Sequence, residues 1–363
     1  MSNLADKQID ALAPTSPGVP RTRDPEIGTL PLVFDPEGLS KEIGRLRLYA
    51  EPGKLPKVVG IHEMRRNFKP HCTCEIILDT GNGSRRLIGK VYATDRQDVY
   101  EYMETLEQGG FHPGAEFSIP HPVAYVPSLR LLLQERVEGT SAQDIFKRGD
   151  RRHCAEAAER CARWLARFHA TAPPTGRVSG VEKFIRSAER KCRLISEEGG
   201  PLAAKCEEVL GRLKAAAPSP GAVSICAGHG DFCDLQIIFA QGRTVVVDWD
   251  DHDLADPARD IAHFIVSLER LAGKNFRNLR ALDNTAEEFR RTYLASGGHP
   301  SAMVNLPFYK AVFWLKGRKN AIQTKAPGWR KSAELMLDES LRSLTCWRGG
   351  EARPPTLEVG CHA

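Results

Sequence analysis

The chain changes its hydrophobic period midway. Three apolar stretches, KVVGIHEMR (Lys57–Arg65), CTCEIIL (Cys72–Leu78) and RRLIGKVYA (Arg85–Ala93), alternate in the two-residue rhythm of antiparallel strands. The joint between the second and third contains Asn82-Gly83, a pair that favours a two-residue hairpin. Its glycines also suggest a phosphate loop, but no helix follows whose N-terminus could meet an anion. A helical stripe of Val99, Tyr102, Met103 and Leu106 comes next within Asp98–Gly110 and ends at Gly109-Gly110. An extended segment then leads into the strand Leu129–Gln134. From Ala142 the period is mostly helical: Cys154–Ala170 turns Ala157, Cys161, Trp164, Leu165 and Phe168 to one side. Asp260–Leu271, Thr285–Ala295, Phe308–Lys319 and Trp329–Leu344 read the same way. A β-rich half followed by a helical half predicts two lobes with a cleft between them.

The expected limits are a mobile Pro-rich leader over 1–38, a sheet lobe over 39–135, a helical lobe over 136–345 and a tail over 346–363. Leu39–Ala50 is a candidate short helix. The 363 residues suffice for such a pair of cores. The net charge of +5 comes from scattered residues, with no basic block to suggest a nucleic-acid partner. No run approaches the roughly 20 apolar residues of a membrane span, and the polar start does not read as a secretory signal. The expected location is the cytoplasm, with no membrane partner. The ten cysteines stand at irregular spacing. Cys72 and Cys74 share a strand face, with no second ligand pair at zinc-site spacing.

Chemistry concentrates in AGHGDFCDLQIIFAQGRTVVVDWDDHDLADPARDIAHF (Ala227–Phe264). Asp231 follows His229-Gly230 in a loop, and Gln236 stands five residues later. Two short strands joined by Gln241-Gly242-Arg243 then deliver Asp248. Such a hairpin would gather Asp231, Gln236 and Asp248 at one end. Magnesium takes hard oxygen ligands such as a carboxylate and an amide carbonyl, and completes its shell with phosphate and water. A separate carboxylate must orient and deprotonate an attacking hydroxyl. Gln236 and Asp248 suit the first task, and Asp231 the second. Isolated loop acids would carry no such meaning; the ordered set does.

His229-Gly230-Asp231, Gln236, Asp248, Asp256-Pro257 and Asp260 together resemble the motif of the aminoglycoside phosphotransferase/choline kinase family, over roughly Lys57 to Leu344. The resemblance implies an α+β, protein-kinase-like two-lobed fold, with an antiparallel sheet and one helix in the N-lobe and a mainly helical C-lobe. It implies ATP and Mg2+ as cofactors and a small-molecule hydroxyl as acceptor: a sugar, an amino alcohol or an aminoglycoside-like compound. Asp231 would be the catalytic base, with His229 a structural member of its loop. Gln236 and Asp248 would hold magnesium, and Asp260 would buttress the loop backbone from a helix start. Asp250 is either a further metal or substrate contact or an exposed loop acid. His169, in Leu165–His169, reads as a core or buttressing histidine.

A kinase site also needs a strand lysine held by a helix glutamate. Lys90 is a lone lysine in an apolar strand, and Glu101 fits the family pattern better than Glu104. The phosphate-covering loop would be Arg66–His71. The adenine linker would be Gln134–Val137, with the backbones of Gln134 and Arg136 facing the base. Gln236 stands where this family usually has Asn, and Ala255 where it usually has Gly. The first departure supports an alternative, a nucleotide-binding pseudokinase with a regulatory role. Phosphate-ester hydrolysis is disfavoured, since no nucleophile is paired with a base in the motif.

Overall fold

The computed structural model describes residues 26–49, 55–66, 71–197, 199–219, 224–317 and 322–345. Its contacts divide the chain into two compact units. The first runs through Thr140 and adds Ile237–Asp250; the second comprises Ser141–Gln236 and the chain from Asp251 onward.

The first unit holds helices α1 (Leu30–Val33) and α2 (Pro36–Arg45) and strands β1 (Lys57–Arg66), β2 (His71–Asp79) and β3 (Ser84–Tyr92). Helix α3 (Gln97–Leu106) and strands β4 (Phe117–Ser118), β5 (Pro122–Val126) and β6 (Leu131–Glu135) follow. Strand order is β1-β2-β3-β6-β5, with each neighbouring pair antiparallel. Cys72, Cys74, Ile76 and Leu78 of β2 and Leu87 and Val91 of β3 point to one face and are buried there. Lys90 and Tyr92, one step out of phase, point to the other.

Two local expectations are corrected. Asp79 pairs with Ser84, so the β2–β3 joint is a four-residue loop, not a two-residue one. It is closed by Thr80 N–H donating to the Gly83 carbonyl, with Gly81 and Gly83 at positive φ. Part of the expected leader is folded: Ile27, Leu30 and Val33 are buried with Leu39 and Ile43 against the sheet. Pro36 sits in the first turn of α2, and Asp35 caps it through the Glu37 N–H. The prolines therefore start helices here rather than prevent them. Residues 1–25, Ala50 and the expected tail lie outside the described residues.

The strands β9 (Ile237–Ala240) and β10 (Arg243–Val246) complete the first unit as an antiparallel hairpin, following β7 (Thr140–Ser141) and β8 (Cys226–Gly228) in the chain. Gln241 and Gly242 both have positive φ, as a tight hairpin turn requires. Strand β10 pairs in parallel with β4.

The second unit is built from α4 (Ala142–Arg148), α5 (Arg151–Thr171), α6 (Val181–Ser196) and α7 (Gly200–Ala215). After β11 (Asp253–Ala255) come α8 (Ala258–Phe276), α9 (Asp283–Ala295), α10 (Ala302–Lys316) and α11 (Trp329–Thr345). Its strands β8 and β11 pair antiparallel. Trp164 and Phe168 of α5 stack with each other, and Trp164 stacks on Phe232, which also meets Phe264 of α8. No helix among the described residues is long and apolar enough to cross a membrane.

Candidate active site

The loop His229–Asp231 is fixed at both ends. Gly228 pairs with Asp253 through β8 and β11, and the buried Phe232 ring anchors the other end. Between them, Gly230 has φ +84, and a Cβ there would lie 2.0 Å from the Asp251 carbonyl oxygen. Glycine alone meets both conditions.

Asp260, in the first turn of α8, holds this loop from beneath. Its Oδ2 accepts the His229 N–H at 2.8 Å and its Oδ1 the Gly230 N–H at 3.2 Å. His169 Nε2 lies 3.5 Å from Oδ2 and Arg259 Nε donates to Oδ1 at 3.2 Å. Burial by itself would raise the Asp260 pKa, but Arg259 and His169 outweigh it and hold the carboxyl well below the usual range. Asp260 thus occupies the place expected of it. The buried His169 also meets Tyr293, Nδ1 to Oη 2.9 Å. Burial lowers the His169 pKa despite the favourable pull of Asp260.

His229 is fully buried, and its Nδ1 accepts the Asp231 N–H at 3.2 Å. That suits a loop-shaping residue more than a proton carrier. The Asp231 carboxylate receives Gln236 Nε2 at 3.3 Å and faces His263 Nδ1 at 3.7 Å. The Gln236 amide thus turns its nitrogen to Asp231, and its carbonyl oxygen is the atom it could offer a cation. His263 stacks flat on Phe313, 4.3 Å between centroids. Burial first, then Lys316 and Arg270, keeps its pKa well below the usual histidine value.

The first unit carries the other half of the sequence motif. Val246 pairs with Ile237, after which the chain reaches Asp248, a non-glycine residue at φ 69. This left-handed backbone costs energy and often marks functional positions. Asp248 Oδ1 accepts from Lys90 Nζ at 2.6 Å, and Asp250 Oδ1 accepts from the same ammonium at 3.1 Å. Burial would lower the Lys90 pKa, yet the two carboxylates raise it above the ordinary lysine value, so the group stays charged.

Sequence reasoning missed three residues here. Tyr92 Oη donates to Asp250 Oδ1 at 2.7 Å, His71 Nδ1 is 3.5 Å from Asp250 Oδ2, and Arg96 Nη2 donates to the Asp250 carbonyl at 2.7 Å. Asp250 is 7% exposed, which removes the reading as an exposed loop acid. The helix glutamates do not hold Lys90 in this structure. Glu101 is exposed and accepts from Gln97 Nε2 at 2.8 Å; Glu104 accepts from Tyr100 Oη at 2.8 Å. The reason is placement: α3 turns Val99, Tyr102, Met103 and Leu106 inward, and Glu101 is outside that stripe.

Gln134 lies within β6, opposite Ile88 and Pro122, and Arg136 follows the strand with its guanidinium on Glu75 and Glu138. Most of the expected phosphate-covering loop, residues 67–70, is outside the described residues. Ala255 is extended in β11, where a Cβ costs nothing. Arg259 gave no signal in the sequence. It pairs with Asp253, and a Cβ on Gly228 would lie 2.1 Å from its Nη2.

Asp248 in the first unit offers a carboxylate and Gln236 in the second an amide carbonyl, both hard oxygens of the kind magnesium takes. Among the described residues no group of three or more His, Cys, Asp and Glu side chains gathers as an all-protein metal cage.

Residues 77–302 match the APH family, described as the phosphotransferase enzyme family. None of the curated proteins matches the sequence. Among solved structures, a putative aminoglycoside phosphotransferase from Ralstonia eutropha JMP134 aligns with TM-score 0.58 at 15% identity, covering 85% of this chain and 99% of that one. Choline kinase LicA from Streptococcus pneumoniae aligns with TM-score 0.53 at 14% identity, covering 86% and 99%. A choline/ethanolamine kinase family protein from Mesorhizobium loti gives 0.50 at 18%, covering 84% and 98%. These likenesses show the fold, the protein-kinase-like α+β arrangement expected from the residue pattern.

Proposed function

The chain belongs to the phosphotransferase enzyme family, and we propose that it moves the γ-phosphoryl group of ATP to a hydroxyl of a small molecule. One observation carries the proposal most directly. A buried lysine ammonium lies 2.6 Å from a carboxylate whose backbone is held in a costly conformation. That is the charge pair a triphosphate and its metal would enter.

In this reading Lys90 binds the phosphates, and the backbones of Gln134 and Arg136 meet the adenine. Gln236 and Asp248 hold Mg2+, which when bound screens the charge of the phosphates. Asp231 orients the acceptor hydroxyl and takes its proton, on a loop whose shape is kept by His229, Gly230 and Asp260. Glu101 remains a candidate partner for Lys90 only if α3 moves when nucleotide binds. The acceptor is a sugar, an amino alcohol or an aminoglycoside-like compound. The acid-rich run offers little support for a cationic acceptor. Asp250 is spent on Lys90 and Tyr92, Asp253 on Arg259, and Asp256 on Asn305 and the Ala258 N–H.

The test is ADP release from Mg-ATP across a panel of hydroxylated metabolites. Asp231→Asn should lower turnover by roughly 100-fold or more, as loss of a general base does. Gln236→Asn should leave or raise turnover. Tight Mg-ATP binding with no acceptor turned over would favour the pseudokinase instead.

A further inference from the structure

A kinase lysine is useful only while something holds its ammonium in place, and in this chain the helix glutamates are engaged elsewhere. We infer that Asp250 is the carboxylate that positions Lys90 for the nucleotide phosphates, in the place otherwise expected of Glu101. The inference rests on the proposed ATP-dependent transfer and adds a residue to it.

Two carboxylates touch Lys90. If Asp248 is a metal ligand, the cation would compete with Lys90 for its oxygens. Asp250 is instead tied to strand β3. Its Oδ1 is shared between Lys90 Nζ at 3.1 Å and Tyr92 Oη at 2.7 Å. Lys90 and Tyr92 are two residues apart on β3 and project from the same face, so the strand presents both donors to one oxygen. His71, opposite Tyr92 in β2, closes on Oδ2 at 3.5 Å and meets the Tyr92 ring edge-on at 5.8 Å.

The backbone of Asp250 is held as well. Arg96 Nη2 donates to its carbonyl at 2.7 Å, and the preceding Trp249 is tied by its indole N–H to the Val246 carbonyl at 3.1 Å. Trp249 also meets Tyr102 of α3 edge to face at 5.9 Å. The carboxylate is therefore held by β3, with His71 of β2 close by, and its backbone by Arg96 before α3, all within the first unit. By contrast, Glu101 is an exposed side chain with a local partner, and ordering it onto a lysine would cost side-chain entropy.

The experiment compares Mg-ATP with adenosine as calorimetric titrants on the full chain, in wild type and in Asp250→Asn, Glu101→Gln and Tyr92→Phe. Adenosine carries no phosphate, so a merely structural defect weakens both titrants alike. Asp250→Asn is expected to weaken Mg-ATP by about tenfold, the loss of one charged contact, while adenosine is unchanged. Glu101→Gln should change neither, and Tyr92→Phe should weaken Mg-ATP by a few-fold. Selective loss of Mg-ATP in Glu101→Gln with Asp250→Asn intact overturns the assignment, as does equal loss of both titrants in Asp250→Asn. If Asp250→Asn fails to fold, Tyr92→Phe decides by the same ratio. A wild-type protein that binds neither titrant fails at the functional reading itself, and that result is distinct from either reversal.

Discussion

Asp260 offers the sharpest test of how the loop is held. Replacing it by alanine removes the acceptor of two backbone N–H groups and one partner of the buried Arg259. Breaking a buried ion pair from one side costs about 3–5 kcal/mol, because the remaining charge is left uncompensated. Asp253 still pairs with Arg259 and offsets part of that, so about 4 kcal/mol is the expected total, with the stranded N–H groups included. Against a typical total stability of about 5–15 kcal/mol this is a large fraction. With an m-value of about 2–3 kcal/mol/M, the urea midpoint should fall by about 1–2 M. Asp260→Asn keeps an acceptor oxygen and loses the charge, and should cost about half as much. The sign with pH follows from the depressed pKa. The carboxylate's contribution is fully present above its unfolded value of about 4, and is lost as pH falls below it toward the lower folded value. The gap between wild type and Asp260→Asn should therefore hold down to about pH 4 and then narrow. An Asp260→Ala protein within about 0.5 kcal/mol of wild type at pH 7 would refute the reasoning, and the loop would have to be fixed by something else.

Two further outcomes are expected. His169 and His263 both have pKa values lowered by burial, so the unfolded chain binds protons that the folded one refuses. Urea stability should be intact above about pH 6.5 and should fall towards pH 5.5 with a slope of up to about 1.4 kcal/mol per pH unit for each histidine. Asp234 and Asp256, whose pKa values burial raises, act in the opposite sense at lower pH, which confines the clean window to that range. Gly230→Ala should unfold more easily by about 2 kcal/mol or more and lose most activity, since the new Cβ meets a carbonyl at a positive φ. A Gly230→Ala protein with wild-type stability and turnover would contradict the close approach.

What could be read from the residues depended on how local the determinant was. The hairpin Ile237–Val246 announced itself through apolar runs on either side of Gln241-Gly242, and Asp260 through its place at a helix start. Lys90 was visible because an apolar strand rarely carries a lone lysine. Asp250 was not legible, because its burial is decided by His71, Tyr92 and Arg96, which lie far away in sequence. The same distance hid the failure of Glu101 to reach Lys90: helical period shows which face is apolar, not which strand it covers. Composition misled at Pro31 and Pro36. A Pro-rich stretch looks unstructured unless each proline is asked whether it stands at a first helical turn, and both do. Asn82-Gly83 misled in the other direction, since Thr80 closes a longer loop around it.

Arg259 lying over Gly228 ties two positions of the chain into a single heritable unit. A guanidinium fills the volume a side chain at 228 would need, and that same guanidinium steadies the carboxylate under the loop. A side chain at 228 would displace that guanidinium, and a shifted or shortened residue 259 would loosen the counter-charge of Asp260. Change at 228 is thus felt in the loop through residue 259, so the fitness of either position depends on the other.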